Sequence, residues 1–118
     1  MKIIAALFAT ALTLSPLCQA VAPASAAETA SPCTVVDVTG SVARVHIRCS
    51  NNLGGGIYYV AAPNTDAEMA NRLLMLGTSA LIYPKNLWVV FDLADNSGAA
   101  YGCGLGDCRP AIAVSLRP

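Results

Sequence analysis

Four cysteines in a short exported domain leave this chain few ways to fold. Of its 118 residues, the first 27 have the form of a secretory leader. Lys2 supplies the positive start, Ile3–Leu14 an apolar run, and Ala24-Ser25-Ala26 or Ser25-Ala26-Ala27 the small residues before cleavage. Cys18 follows Pro16-Leu17, where a lipid-attachment site would carry a small residue, so it is read as part of the leader. Residues 28–118 then form a single domain, secreted or periplasmic. They keep Cys33, Cys49, Cys103 and Cys108. An even cysteine count in a small exported domain is read as disulfides, because a modest core gains most from staples.

Charge excludes one class of partner. Without Lys2, six Lys and Arg face seven Asp and Glu. No basic patch of the kind that neutralises phosphates is available, so nucleic acid is not expected. No second apolar stretch long enough to span a membrane follows the leader.

Alternation locates the first hairpin. Glu28–Pro32 reads as a mobile polar leader. Thr34–Val38 and Val42–Cys49 are strand-like, and Gly40-Ser41 is the turn between them. With the turn centred on Ser41, Cys33 lies opposite Cys49. Cys33, Val35, Ile47, Val45 and Ala43 share an apolar face; Arg44, His46 and Arg48 lie on the other. Of the three connectivities that four cysteines allow, the register favours Cys33–Cys49 with Cys103–Cys108. Asp37 falls on the apolar face and marks either a barrel mouth or a bulge.

Downstream, Ser50–Gly56 is a glycine-rich loop and Ile57–Ala62 a third strand. Thr65 and Glu68 have capping-box spacing before a helix over about Asp66–Ile82, ended by Pro84. Met69, Leu73, Leu76 and Ala80 form its apolar stripe, which Ala70, Leu74 and Leu81 widen beyond what one core contact needs. Gly77 in mid-helix points to close approach of another backbone. Asn86–Leu93 is a fourth strand, Ala94–Arg109 a loop closed by two cysteines, and Pro110–Leu116 a last strand. The expected fold is mainly β with one helix, a five-stranded OB-fold-like barrel of order β-β-β-α-β-β stapled by disulfides. An open sandwich with the helix on one sheet face is the alternative.

Over roughly Ile57–Leu116 the chain resembles the B subunits of AB5 toxins of the subtilase cytotoxin and pertussis type. The resemblance rests on ANRLLMLGTSALIYPKNLWVVFD, then GCGLGDC, then PAIAVSL. It implies an exported OB-fold domain that assembles as a pentameric ring, binds host glycans and docks a catalytic A subunit. The stretch before the first cysteine lacks that family's aromatic and serine-bearing segment, so no glycan contact is carried over residue by residue.

Candidate ligand-binding residues are Arg44, His46, Arg48, Tyr58 and Tyr101. Guanidinium forks suit carboxylates such as that of a sialic acid, and aromatic rings stack on sugar faces. The duller reading of the same residues is a solvated hairpin face and ordinary packing. Met69, Leu73 and Leu76 are the candidate oligomer interface. No metal or other cofactor is expected, since Cys103-x4-Cys108 lacks two clear further ligands. No catalytic residues are assigned: Asp92 and Asp95 read as a turn, and the glycines of 98–106 join strands rather than a strand and a helix. The expected function is non-enzymatic binding of a cell-surface glycan by an oligomeric ring. The alternatives are a monomeric periplasmic interaction module and a small inhibitor presenting the 103–108 loop.

Overall fold

A computed structural model describes residues Glu28–Pro118. The predicted leader, Met1–Ala27 with Cys18, lies outside the described residues. The elements are β1 (Glu28–Cys33), β2 (Val35–Gly40), β3 (Arg44–Cys49), β4 (Tyr59–Pro63), α1 (Ala67–Ile82), β5 (Asn86–Asp92), a 3-10 turn (Ser97–Tyr101) and β6 (Cys108–Arg117). They form one sheet of order β1-β5-β6-β4-β3-β2. Only β4 and β6 run parallel; the other neighbours are antiparallel. The mainly β reading with a single helix holds, as do both disulfides, Cys33–Cys49 and Cys103–Cys108.

The five-stranded closed barrel does not hold in that form. There are six strands, and the ladder has two ends, β1 and β2. The difference lies in Glu28–Pro32, expected to be mobile, which pairs as β1 along β5 from Glu28↔Asp92 to Cys33↔Leu87. Its sequence has little strand propensity, and tertiary pairing overrides that. Pro32 is tolerated because β1 is an edge strand, where a missing N–H donor need not break a ladder, and the Asn51 side chain satisfies its neighbours. Asn51 Nδ2 donates to the Pro32 carbonyl at 2.7 Å, and Asn51 Oδ1 accepts from the Thr34 N–H at 2.9 Å.

The two end strands are consecutive in the chain, separated only by Thr34. A flat sheet of six strands would hold its edges about 24 Å apart, at ~4.8 Å per strand spacing. The step from Cys33 to Val35 spans at most ~7 Å. The sheet therefore curls until its two ends meet at Thr34.

The first hairpin keeps its predicted partners but not its predicted register. Val38 pairs with Ile47 and Gly40 with Val45, and a bulge falls between Val35 and Asp37. The tip is Val42-Ala43, closed by Ser41 N–H to the Arg44 carbonyl at 2.8 Å; Val42 is wholly exposed. The bulge accounts for the misplaced Asp37. It lets Val35 and Val38 both pack on the core while Asp37 turns out beside His46.

The concave side of the sheet holds Val45, Ile47, Leu53, Ile57, Val60, Leu87, Val89 and Phe91, closed by Met69, Ala70 and Leu73 of α1. The helix is capped by Asp66, not Thr65: Asp66 Oδ1 accepts from the Met69 N–H at 3.2 Å. Gly77 gives room for two side chains of the sheet, not for a backbone. A Cβ there would lie 2.7 Å from Ile47 Cδ1 and 3.2 Å from Val38 Cγ2, so side chains rather than backbone make the close approach.

Two further expectations about the helix are corrected. Leu73 is fully buried and Met69 nearly so, both against the chain's own sheet, with Leu76 packed beside them. Met69 and Leu73 therefore have no surface left to offer a subunit contact. Leu74 and Leu81, which widen the stripe on paper, are exposed with Met75 and Ile82. No helix among the described residues is long and apolar enough to cross a membrane. The two disulfides place the folded domain in an oxidising compartment.

Candidate functional site

On the convex side, a second and smaller cluster forms. Ala61, Cys103 and Cys108 are buried there, with Tyr59 and Tyr101 packed against them. Cys103, Cys108 and Tyr101 pack onto the outer face of β4, while the loop tip between the two cysteines, with Leu105, stays exposed. Two glycines permit this. Gly98 is buried, and a Cβ on it would lie 2.7 Å from Cys103 Cβ. Gly102 ends the 3-10 turn at φ +86°, a region L side chains avoid. A Cβ on it would also collide with the Arg44 guanidinium.

Arg109 anchors the underside of the same loop. It is 9% exposed. Its Nε donates to the Leu93 carbonyl, and its Nη1 donates to the Leu105 and Cys108 carbonyls, each at 2.7 Å. A buried cation is tolerable when its donors are filled in this way. Nearby, Asp95 Oδ1 accepts the Ser97 N–H at 2.9 Å. That side chain is held below its ordinary carboxylate range first by its bonds to Ser97 and less by the Arg109 charge.

Between this loop and the hairpin lies a cleft of about 290 Å³, lined by Arg44, His46, Tyr59, Gly102, Gly104, Asp107 and Cys108. A second hollow of about 320 Å³ adjoins it, lined by Arg48, Cys49, Ser50, Tyr58, Tyr59 and Asp107. Tyr59 and Asp107 belong to both. The Asp107 carbonyl fixes this ridge by accepting the Tyr58 and Tyr59 N–H groups at 2.9 and 3.0 Å.

Four of the five sequence-chosen residues line these two hollows, Arg44 and His46 the first and Arg48 and Tyr58 the second; Tyr101 lines neither. Alternation along β3 puts Arg44, His46 and Arg48 on the convex side. Arg44 Nη1 donates to the Tyr101 carbonyl at 3.1 Å, which orients the guanidinium at the cleft wall. Tyr101 itself acts through that carbonyl; its ring packs on the disulfide cluster. Burial pushes the Tyr101 phenol above its ordinary range, with Asp95 and Asp66 adding to the shift. Tyr58 precedes β4, so it does not alternate strictly with Tyr59, and both border the second hollow.

His46 is the unusual member. Its Nδ1 is buried without a hydrogen-bond partner. Its Nε2 lies 3.7 Å from Asp37 Oδ2, which already accepts from Thr39 Oγ1 at 2.8 Å. The ring meets Tyr59 edge-on at 5.6 Å between centroids. Burial, then the Arg44 charge, hold the imidazole pKa below its usual value, with Asp37 opposing.

Sequence reasoning marked Asp37 as a bulge without placing it beside His46, and it missed Asp107 and the decisive place of Tyr59 in the cleft. Asp107 is set by a loop whose path no periodicity records. Tyr59 was findable: it pairs directly with Arg48 once β4 is laid beside β3. The described residues contain no group of three or more His, Cys, Asp or Glu suited to a metal ion.

Fold and site together define a disulfide-stapled, mainly β domain with a polar cleft on its convex face, lined by Arg44, His46, Tyr59 and Asp107. No protein-family model, curated protein or solved structure matches the chain.

Proposed function

We propose that this chain is an exported, non-enzymatic binding subunit of the AB5 toxin B type. It recognises a carboxylate-bearing cell-surface glycan in the Arg44–Tyr59 cleft, and it works as an oligomeric ring, a pentamer in the resembled family, to which a catalytic A subunit docks. The observation that carries the reading is the cleft itself. A guanidinium oriented by a backbone carbonyl, an imidazole and a tyrosine ring share one opening with a carboxylate, Asp107, that can accept sugar hydroxyls. That set matches an acidic sugar: a fork for the carboxylate, a ring for an apolar face, an acceptor for hydroxyls.

The strand order supports the OB layout. Counting β1 and β2 as one strand bent at Thr34 leaves five strands, with the helix between the third and fourth. The ring reading draws on the outer face of α1. Leu74, Met75, Leu81 and Ile82 are exposed there, followed by Tyr83. These residues, rather than Met69 and Leu73, are the subunit contacts we assign. Weak single sites gain orders of magnitude in avidity when a ring presents them together.

The test is a glycan array probed with oxidised residues 28–118, alongside Arg44→Ala. Retention on acidic glycans that Arg44→Ala loses supports the reading. Uniform failure to bind, or binding indifferent to Arg44→Ala, overturns it. Light scattering after size exclusion tests the ring: a mass several times that of the protomer supports it, and a monomer removes it.

A further inference from the structure

His46 is the only histidine of the chain. It stands in the cleft with a buried, unpartnered Nδ1 and with Nε2 outside hydrogen-bond distance of Asp37. Its side chain is 17% exposed. The charged and titratable groups on this surface come from every element packed there. They are Asp37 from β2, Arg44 and Arg48 from β3, Tyr58 just before β4 and Tyr59 at its start, Tyr101 at the end of the 3-10 turn and Asp107 from the stapled loop.

We propose that anion binding in this cleft is coupled to protonation of His46, so that the ligand is held more tightly in mildly acidic surroundings. The inference rests on the cleft being the binding site, as proposed above. With the cleft free of anion, a proton on His46 would face the Arg44 guanidinium across a half-buried space, with a single carboxylate, Asp37, too far away to form a hydrogen bond. Burial and the Arg44 charge already favour the neutral ring. A carboxylate entering beside Arg44 reverses the balance. It neutralises the Arg44 guanidinium field that disfavours the imidazolium, and leaves the Asp37 carboxylate unopposed beside Nε2. The imidazole then takes a proton from solvent as the anion binds. Linkage makes the effect reciprocal: whatever factor the anion adds to proton affinity, the proton adds to anion affinity. Each unit by which the bound pKa exceeds the free one is worth about tenfold in affinity across the titration. Asp37 sets where the change begins, since it alone raises the free value.

A sole histidine makes the experiment direct, because its ring resonances need no sorting from others. The oxidised protein is titrated by NMR from pH 5 to 8 alone, with saturating 3′-sialyllactose, and with lactose as the neutral control. Alone, the ring should titrate below its ordinary value. With sialyllactose its midpoint should rise, and affinity should grow several-fold to about tenfold from pH 7.5 to pH 5.5. Lactose should not move the midpoint. Asp37→Asn should shift the free midpoint further down, and His46→Gln should flatten the pH dependence of binding. Sialyllactose that shifts the Arg44 and Tyr59 resonances while the His46 midpoint stays fixed overturns the coupling and leaves the binding site standing. An absence of any shift across the whole pH range overturns both.

Discussion

The molecule has two apolar centres on opposite sides of one sheet, each built around a disulfide. The concave core holds Cys33–Cys49 among more than a dozen buried side chains, Phe91, Ile47 and Leu73 among them. The convex cluster holds Cys103–Cys108 with one buried alanine and two partly buried tyrosines. The first staple ties the corner where the sheet ends meet to the end of β3, across 16 positions; the second closes a loop across 5. The contrast separates two jobs. The concave core determines whether the chain folds. The convex cluster determines whether Arg44, Tyr59 and Asp107 face one another.

The largest expected effect follows from removing each staple in turn. Cys33→Ala/Cys49→Ala should cost about 3 kcal/mol, and Cys103→Ala/Cys108→Ala about 2 kcal/mol, as loop-closure entropy scales with loop length. Urea midpoints at constant slope measure both. Equal losses would erase the distinction between the two centres.

Gly102→Ala probes the convex side alone. The left-handed backbone at φ +86° costs a non-glycine residue about 1–2 kcal/mol, and the added methyl displaces the Arg44 guanidinium. We expect a smaller stability loss than from either disulfide, together with loss of ligand binding. A variant that binds normally would show that Arg44 need not sit on the Tyr101 carbonyl.

The smallest effect is the pH dependence of folding. The folded protein holds the His46 pKa below its unfolded value, so the unfolded chain binds the proton more readily. The stabilising contribution is therefore complete above about pH 6.5 and is lost as pH falls through the folded-state value. His46→Gln should remove that part of the acid slope in denaturant midpoints, and an unchanged slope would contradict it. Added anion acts in the opposite direction, since it raises the same pKa in the folded state.

What was legible in the sequence differs between the same two centres. The concave side shows in local pattern. Alternation in Val45, Ile47 and Cys49 and the stripe Met69, Leu73, Leu76 and Ala80 all name residues that pack inward. The disulfide pairing followed, although the register behind it was off: a bulge at Val35/Asp37 and a turn at Val42-Ala43 carry no periodic signature. Thr65–Glu68 has capping-box spacing, yet Asp66 supplies the cap, because neighbouring oxygens compete and the chain's entry angle decides. β1 was hidden because Glu28–Cys33 is polar and contains a proline; only the waiting edge of β5 makes it a strand. On the convex side the basic stripe was legible as a stripe. What faces it was not, because Asp107 and the Tyr101 carbonyl arrive through a glycine loop whose path depends on Arg109 and three carbonyls.

If the cleft binds as proposed, the second disulfide holds that site in shape more than it holds the fold. The direct measurement is the affinity of the oxidised Cys103→Ala/Cys108→Ala protein for 3′-sialyllactose, at a pH and temperature where circular dichroism shows it folded. The account predicts a folded protein whose binding is at least tenfold weaker than that of the parent chain. Affinity equal to the parent's in a folded variant would contradict it.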